Sequence, residues 1–212
     1  MEKEIYLLSS TPDEKRAEFV RRLKGDLLAL CSSPELKALW FTVTEPALPR
    51  FHVIPFKRDL LAAVSITTSG GGFASRFASY SGLFGGYRVH EALPVSWKRD
   101  WPLGTATPGL CLLTLFCKKK GLDQSVFFDR WYNGHTPLTL KIHPVSHYVR
   151  NEVIGTAIPR EIGVNTSHLP YKTALCGIWP VLTPILFSLT GNTGRDISSE
   201  FRYYASLSTR VL

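Results

Sequence analysis

LCLLTLFCKKKGLDQSVFFDRWYNGHTPLTLKIHPVSHYVRNEVI, residues 110–154, starts over a pattern that the chain has already run through once. It opens with LCLLTLFC (110–117), an apolar, β-forming run with the composition of a strand. A helical pattern follows from Asp123 to Gly134 and continues to about Ile142, after which VSHYVRNEVI (145–154) is strand-like again. Upstream the same order appears. KEIYLLSS (3–10) reads as a strand, and Thr11-Pro12-Asp13-Glu14 as a helix start, with a hydroxyl cap, a first-turn proline and acids after it. Phe19, Leu23, Leu27 and Leu30 keep the helical period and predict one buried face, and Ser32-Ser33-Pro34 ends the helix. ALWFTVTE (38–45) and DLLAAVSITT (59–68) are the next strands. FASRFASYSGLF after Gly70-Gly71-Gly72 is a short helix, which Gly85-Gly86 stops, and GYRVHEALPVSW (86–97) is a fourth strand. The order β-α-β-β-α-β is the ferredoxin-like signature.

The chain is therefore expected to be α+β, with two ferredoxin-like repeats packed sheet to sheet. The first covers residues 1–97, KRDWPLGTATPG (98–109) is a connector rich in turn residues, and the second covers 110–212. An offset of 108 residues aligns Leu7 with Leu115, Phe19 with Phe127, Arg22 with Arg130 and Phe41 with Val149. Under it Trp131, His135, Tyr148 and Asn151 fall on Leu23, Leu27, Trp40 and Val43. The first half is apolar where the second can hydrogen-bond, which points to a site in the second half.

Composition narrows the classes. At 212 residues with 44% apolar and 20% charged residues, the chain can bury a sizeable core. Its 12 Phe, 8 Tyr and 5 Trp favour large buried side chains, enough to line a cavity. The net charge of +8 is spread thinly, and the one basic run, Lys118-Lys119-Lys120, sits at a strand end, so no nucleic-acid partner is expected. Cys31, Cys111, Cys117 and Cys176 lack metal-ligand spacing; Cys111 and Cys117 read as buried small side chains on one strand face. The start MEKEIYLLSS is unlike a secretory leader, and a cytoplasmic location is expected. Residues 173–194 carry no charge, but Pro180 and Pro184 interrupt their apolar centre and polar turn formers end them. A strand, a turn and a helix are expected there rather than a membrane span.

WYNGHTPL (131–138) carries two opposed signals. Asn133-Gly134 suits a helix end and Thr136-Pro137 a helix start, with His135 between them. On a helix, Phe128, Trp131 and His135 fall at i, i+3 and i+7, with Leu138 at the edge of the same face. An imidazole among aromatics stays neutral near pH 7 and can exchange protons with a phenolic or β-keto substrate. Two jobs compete for it, because a histidine at a helix end can also bond the last free carbonyls. Tyr148 and Asn151 are three apart on a strand and so point to opposite faces; Asn151 shares parity with Val149 and Val153, the buried side. His135, His143 and His147 have no acid or cysteine at metal-ligand spacing, and no metal is expected; His143 suits the helix end. The glycines at 70–72 lack the context of a phosphate loop, and no dinucleotide fingerprint appears, so no cofactor is expected either.

Residues 118–154 resemble the EthD-like domain family. The resemblance is carried by Gly121-Leu122, Phe127 or Phe128, Trp131, His135, Pro137-Leu138, Tyr148 and Asn151; residues 86–109 also look like the linker of tandem members. The resemblance implies a dimeric α+β barrel enclosing a hydrophobic cavity, here formed within one chain. It further implies an enzyme for a small hydrophobic, aromatic or polyketide-like molecule, either oxidoreductase-associated or a cofactor-free decarboxylase or dehydratase. His135 would serve as acid/base, Asn151 and Tyr148 would position an oxygen, and Trp131, Phe128 and Leu138 would contact substrate. The alternative it implies is a non-catalytic ligand-binding or accessory protein of a degradative oxidoreductase. Oligomerisation is left open. The C-terminal segment, with Cys176-Gly177 and no acid beside it, departs from the family pattern.

Overall fold

The computed structural model describes residues 1–44, 61–70, 72–96, 98, 100–102, 104–107, 111–119, 121–143, 145–158, 174–180 and 201–211. Within them lie strands β1 (Glu2–Ser9), β2 (Leu36–Thr44), β3 (Leu61–Thr68), β4 (Leu83–Val95), β5 (Cys111–Lys118), β6 (Val145–Thr156), β7 (Ala174–Pro180) and β8 (Phe201–Val211). The helices are α1 (Arg16–Leu30), α2 (Ala74–Ala78), α3 (Gln124–Asp129) and α4 (Thr136–Ile142), and a π-helical segment, Arg130–His135, runs between the last two. The fold is α+β.

All strand pairings are antiparallel, and the strands close into a barrel in the order β1-β3-β2-β8-β5-β7-β6-β4. The first four strands stand in the order β4-β1-β3-β2 and the last four in the order β8-β5-β7-β6, the same arrangement twice. Two seams join the halves. The β4–β6 seam runs from Tyr87↔Thr156 to Val95↔Tyr148, and among the described residues β2 meets β8 over Thr42–Thr44.

Alternation along each strand separates two buried faces. Tyr6, Leu8, Phe41, Val43, Val64 and Ile66 pack against α1 through Phe19, Leu23, Leu27 and Leu30, the helix face that the period predicts. Each such side chain contributes about 1.5–3 kcal/mol of burial. In the other half Phe127, Trp131 and Tyr148 form the matching layer between helix and sheet. The alternate residues Ile5, Leu7, Tyr87 and Val89 are buried too, yet they stand on the face away from the helices, inside the barrel.

Two local expectations are corrected. Helix α1 begins at Arg16 rather than at Thr11. Asp13 takes a left-handed φ of 63°, and Glu14 folds back so that its carboxylate accepts the Thr11 N–H at 3.0 Å and two Arg22 N–H groups at 2.8 and 2.7 Å. Gly85 and Gly86 lie within β4 and do not end α2, which stops at Ala78. A Cβ on Gly86 would come within 2.9 Å of Ile158 Cδ1 and 3.0 Å of Tyr6 Cδ1, so glycine serves close packing there. Of the expected strand, turn and helix after Thr173, the strand is β7, and the remainder lies outside the described residues, as do the side chains of Cys117 and Cys176. Cys111 is buried. Among the described residues no helix is long and apolar enough to cross a membrane.

The 108-residue offset also needs correction. It holds where Ile5 and Leu113 both face the barrel interior and where Phe19 and Phe127 both lie at a helix–sheet interface. It fails at Phe41 and Val149, because Phe41 faces α1 while Val149 faces inward. A π turn takes one residue more than an α turn, so the offset becomes 109 beyond it. Asn151 then corresponds to Thr42, also buried and also polar, and the contrast between the halves disappears at that position.

Candidate functional site

The helix that carries WYNGHTPL starts at Asp123, whose carboxylate accepts the N–H groups of Ser125 and Val126 at 2.8 and 3.4 Å. It does not break at Asn133-Gly134. Gly134 avoids the left-handed conformation of a cap, and His135 (φ −67°, ψ −42°) and Thr136 (φ −61°, ψ −52°) are both helical. Proline at 137 lacks an N–H, and its ring would crowd the carbonyl four residues back in regular α-helix. The wider π turn gives it room. Thr136 N–H reaches the Trp131 carbonyl, five residues back, and Thr136 Oγ1 donates to the same oxygen at 2.9 Å.

Strand β6 fastens this turn. Arg150 Nη1 donates to Thr136 Oγ1 at 3.1 Å, and the guanidinium carbon sits 4.1 Å from the centre of the Tyr132 ring. Tyr132 OH in turn donates to Glu152 Oε2 at 2.8 Å. Sequence signals for a break are therefore satisfied by a change of helical register. The capping role for His135 lapses with the break, since no set of free carbonyls exists at that point. His143 does occupy the C-terminal cap position of α4.

The expected site residues divide between layers. Trp131 and Tyr148 are fully buried with Phe127 between helix and sheet, and Phe128 lies beside them, half-buried, with its ring centre 6.4 Å from that of Trp131. Leu138 is 39% exposed, because the extra residue of the π turn rotates α4 by about 100° off the i, i+3, i+7 face. His135 is half-buried, with Nδ1 3.3 Å from Thr139 Oγ1. Burial holds its imidazole below the ordinary value, and positive charge at His143 adds to the effect, so the ring is neutral near pH 7.

Asn151 takes the other face. It is 5% exposed, shares the inner side with Val149, and no donor reaches its Oδ1 among the described residues. A buried amide oxygen without a donor costs about 1–3 kcal/mol, which makes it the most informative atom of the set. Tyr148, three residues away, points to the opposite face, as the strand parity predicts.

Directly across β4 from Asn151 stands Glu91, and Glu91 accepts a hydrogen bond from Lys3 Nζ on β1. Lys3 shares the inner face with Val89 and Ile5, and its side chain is 15% exposed against 33% for Glu91, so the pair marks one open end of the barrel. Burial pushes the Lys3 ammonium down from 10.5 to about 8. His147, on the Asn151 side of β6, is lowered by burial first and by the Lys3 charge second, with a hydrogen bond to the Val95 backbone opposing both. Sequence reasoning missed Lys3 and Glu91. They lie 88 residues apart, in no motif, and only their odd-numbered strand positions hinted at a shared face.

No protein-family model matches the chain, and no curated protein matches it. Among the described residues no three His, Cys, Asp or Glu side chains gather as they would around a metal ion.

Proposed function

We propose that the chain is an EthD-like protein, two ferredoxin-like repeats closed into one α+β barrel, which binds a small hydrophobic molecule inside the barrel and acts on it by acid/base chemistry. The repeated strand order supports the architecture. The observation that carries the ligand reading is Asn151, a buried inward amide whose oxygen receives no donor among the described residues, on a face that also carries the buried Ile5, Leu7, Tyr87, Val89 and Val149. Such a face takes an apolar body, and the amide fixes one polar group on it. The reaction class is decarboxylation, dehydration or a step beside an oxidoreductase. His135 stands in the helix layer and not on the inner face, so its acid/base assignment is to a ligand group that emerges at the end of the barrel, where a neutral imidazole can exchange a proton. Trp131 and Tyr148 are left with packing roles, because both are enclosed between helix and sheet.

Native mass spectrometry and an absorbance scan of fresh protein come first, followed by turnover assays on small aromatic β-keto acids. His135→Gln is expected to abolish turnover while ligand affinity persists. Equal turnover would remove the acid/base role. Turnover absent in the wild-type protein, with ligand still bound, would leave a non-catalytic carrier.

A further inference from the structure

We infer that Lys3, Glu91 and Asn151 form a subsite at the open end of the barrel that takes the hydroxyl of an otherwise apolar ligand. The inference rests on the barrel-ligand reading above and adds the residues that set the ligand's polarity. The three side chains stand on adjacent strands, β1, β4 and β6, and all face inward. Lys3 and Asn151 flank Glu91, the first by a hydrogen bond and the second as its directly opposed cross-strand partner, a pairing that places Cβ atoms about 4.5–5.5 Å apart.

The donor and acceptor inventory then selects the ligand. An ammonium has three N–H donors, and Glu91 takes one, which leaves donors for a ligand oxygen. Asn151 Oδ1 is an acceptor that no donor reaches among the described residues, so it takes a hydrogen. The smallest group that both accepts from Lys3 and donates to Asn151 is a hydroxyl. A carboxylate would satisfy Lys3 alone, would leave the amide oxygen unpaired, and would be repelled by Glu91. Farther inside, the face carries Ile5, Tyr87, Val89 and Val149, all buried, which fits an aromatic or alkyl body. Ionising that hydroxyl would remove the hydrogen that Asn151 Oδ1 accepts and bring a second anion beside Glu91, so the subsite takes the neutral form.

The test uses the full-length protein and 4-nitrophenol, whose phenolate absorbs in the visible, at a pH where the free probe is half ionised. Wild-type protein is expected to bind it and to lower the phenolate fraction, because only the neutral form donates to Asn151. Asn151→Leu should weaken binding about tenfold, the loss of one buried hydrogen bond. Lys3→Met, which removes the donor to the hydroxyl oxygen, should likewise weaken binding about tenfold, and Lys3→Arg should restore it. Nitrobenzene, which lacks the hydroxyl, should bind equally to all four proteins, and matching thermal melts establish that the variants are folded. Should the variants bind 4-nitrophenol with unchanged affinity and colour, the subsite is refuted while a ligand-binding barrel survives. Should wild-type protein bind neither probe, both readings fall. If the variants lose nitrobenzene as well, their barrel is altered, and Asn151→Asp decides instead: tighter phenol binding than phenolate binding supports the subsite, and no preference overturns it.

Discussion

Replacing Thr136 by valine keeps the side-chain shape and removes one oxygen, and the structure sets the cost of that oxygen. Thr136 is buried, and its Oγ1 is a relay: it donates to the Trp131 carbonyl at 2.9 Å and accepts from Arg150 Nη1 at 3.1 Å. The carbonyl keeps the Thr136 N–H, so losing the hydroxyl there costs about 1 kcal/mol. Arg150 loses an acceptor in a half-buried site where water replaces part of it, which adds about 1 kcal/mol. The total is about 2 kcal/mol, and for a chain of this size it should lower Tm by about 4–8 °C. Urea denaturation followed by tryptophan fluorescence measures it. Thr136→Ser, which keeps the hydroxyl and loses a methyl, should cost no more than about 1 kcal/mol. On an Arg150→Met background the valine substitution should cost about 1 kcal/mol less than on wild type. A Thr136→Val protein within about 0.5 kcal/mol of wild type, or one no worse than Thr136→Ser, would refute the view that this hydroxyl fastens the π turn to β6.

Two more outcomes follow from the local geometry. The Arg22 hydrogen bonds hold the Glu14 carboxyl well below its ordinary 4.5, to about 2, so its stabilising effect is complete above pH 4.5 and fades as pH falls toward 2. Stability curves of wild type and Glu14→Gln should accordingly separate near neutrality and converge in acid, and parallel curves would contradict the pairing. Gly82→Ala should destabilise more than Gly86→Ala in thermal melts. At Gly82 (φ 92°) a Cβ would stand 2.1 Å from the Ser9 carbonyl oxygen, whereas at Gly86 it meets the Ile158 and Tyr6 side chains at 2.9 and 3.0 Å, which can shift. The reverse order would mean that β4 does not turn back on β1 as described.

Much of this molecule is written in local periods. The helical spacing of Phe19, Leu23, Leu27 and Leu30 identifies the face of α1 that is buried, and strand parity alone separates Asn151 from Tyr148, because both patterns arise from backbone geometry within a few residues. The same local reading failed where neighbours decide. Asn133-Gly134 and Thr136-Pro137 are strong signals for a break in an isolated helix, but Arg150, from a strand beyond, holds the turn in a π register that suits the proline. That one extra residue rotated Leu138 outward and shifted the alignment of the halves, so Asn151 gained Thr42 as its counterpart. The meeting of Lys3 with Glu91 lay beyond any period. It requires β1 beside β4 in a particular register, and the register comes from packing both faces of a closed sheet at once. The sequence by itself determined most of the strands and helices, though not β8, and which way most of their residues point. The tertiary structure decided which inward residues meet, because closing a barrel fixes contacts between positions whose separation along the chain carries no signal.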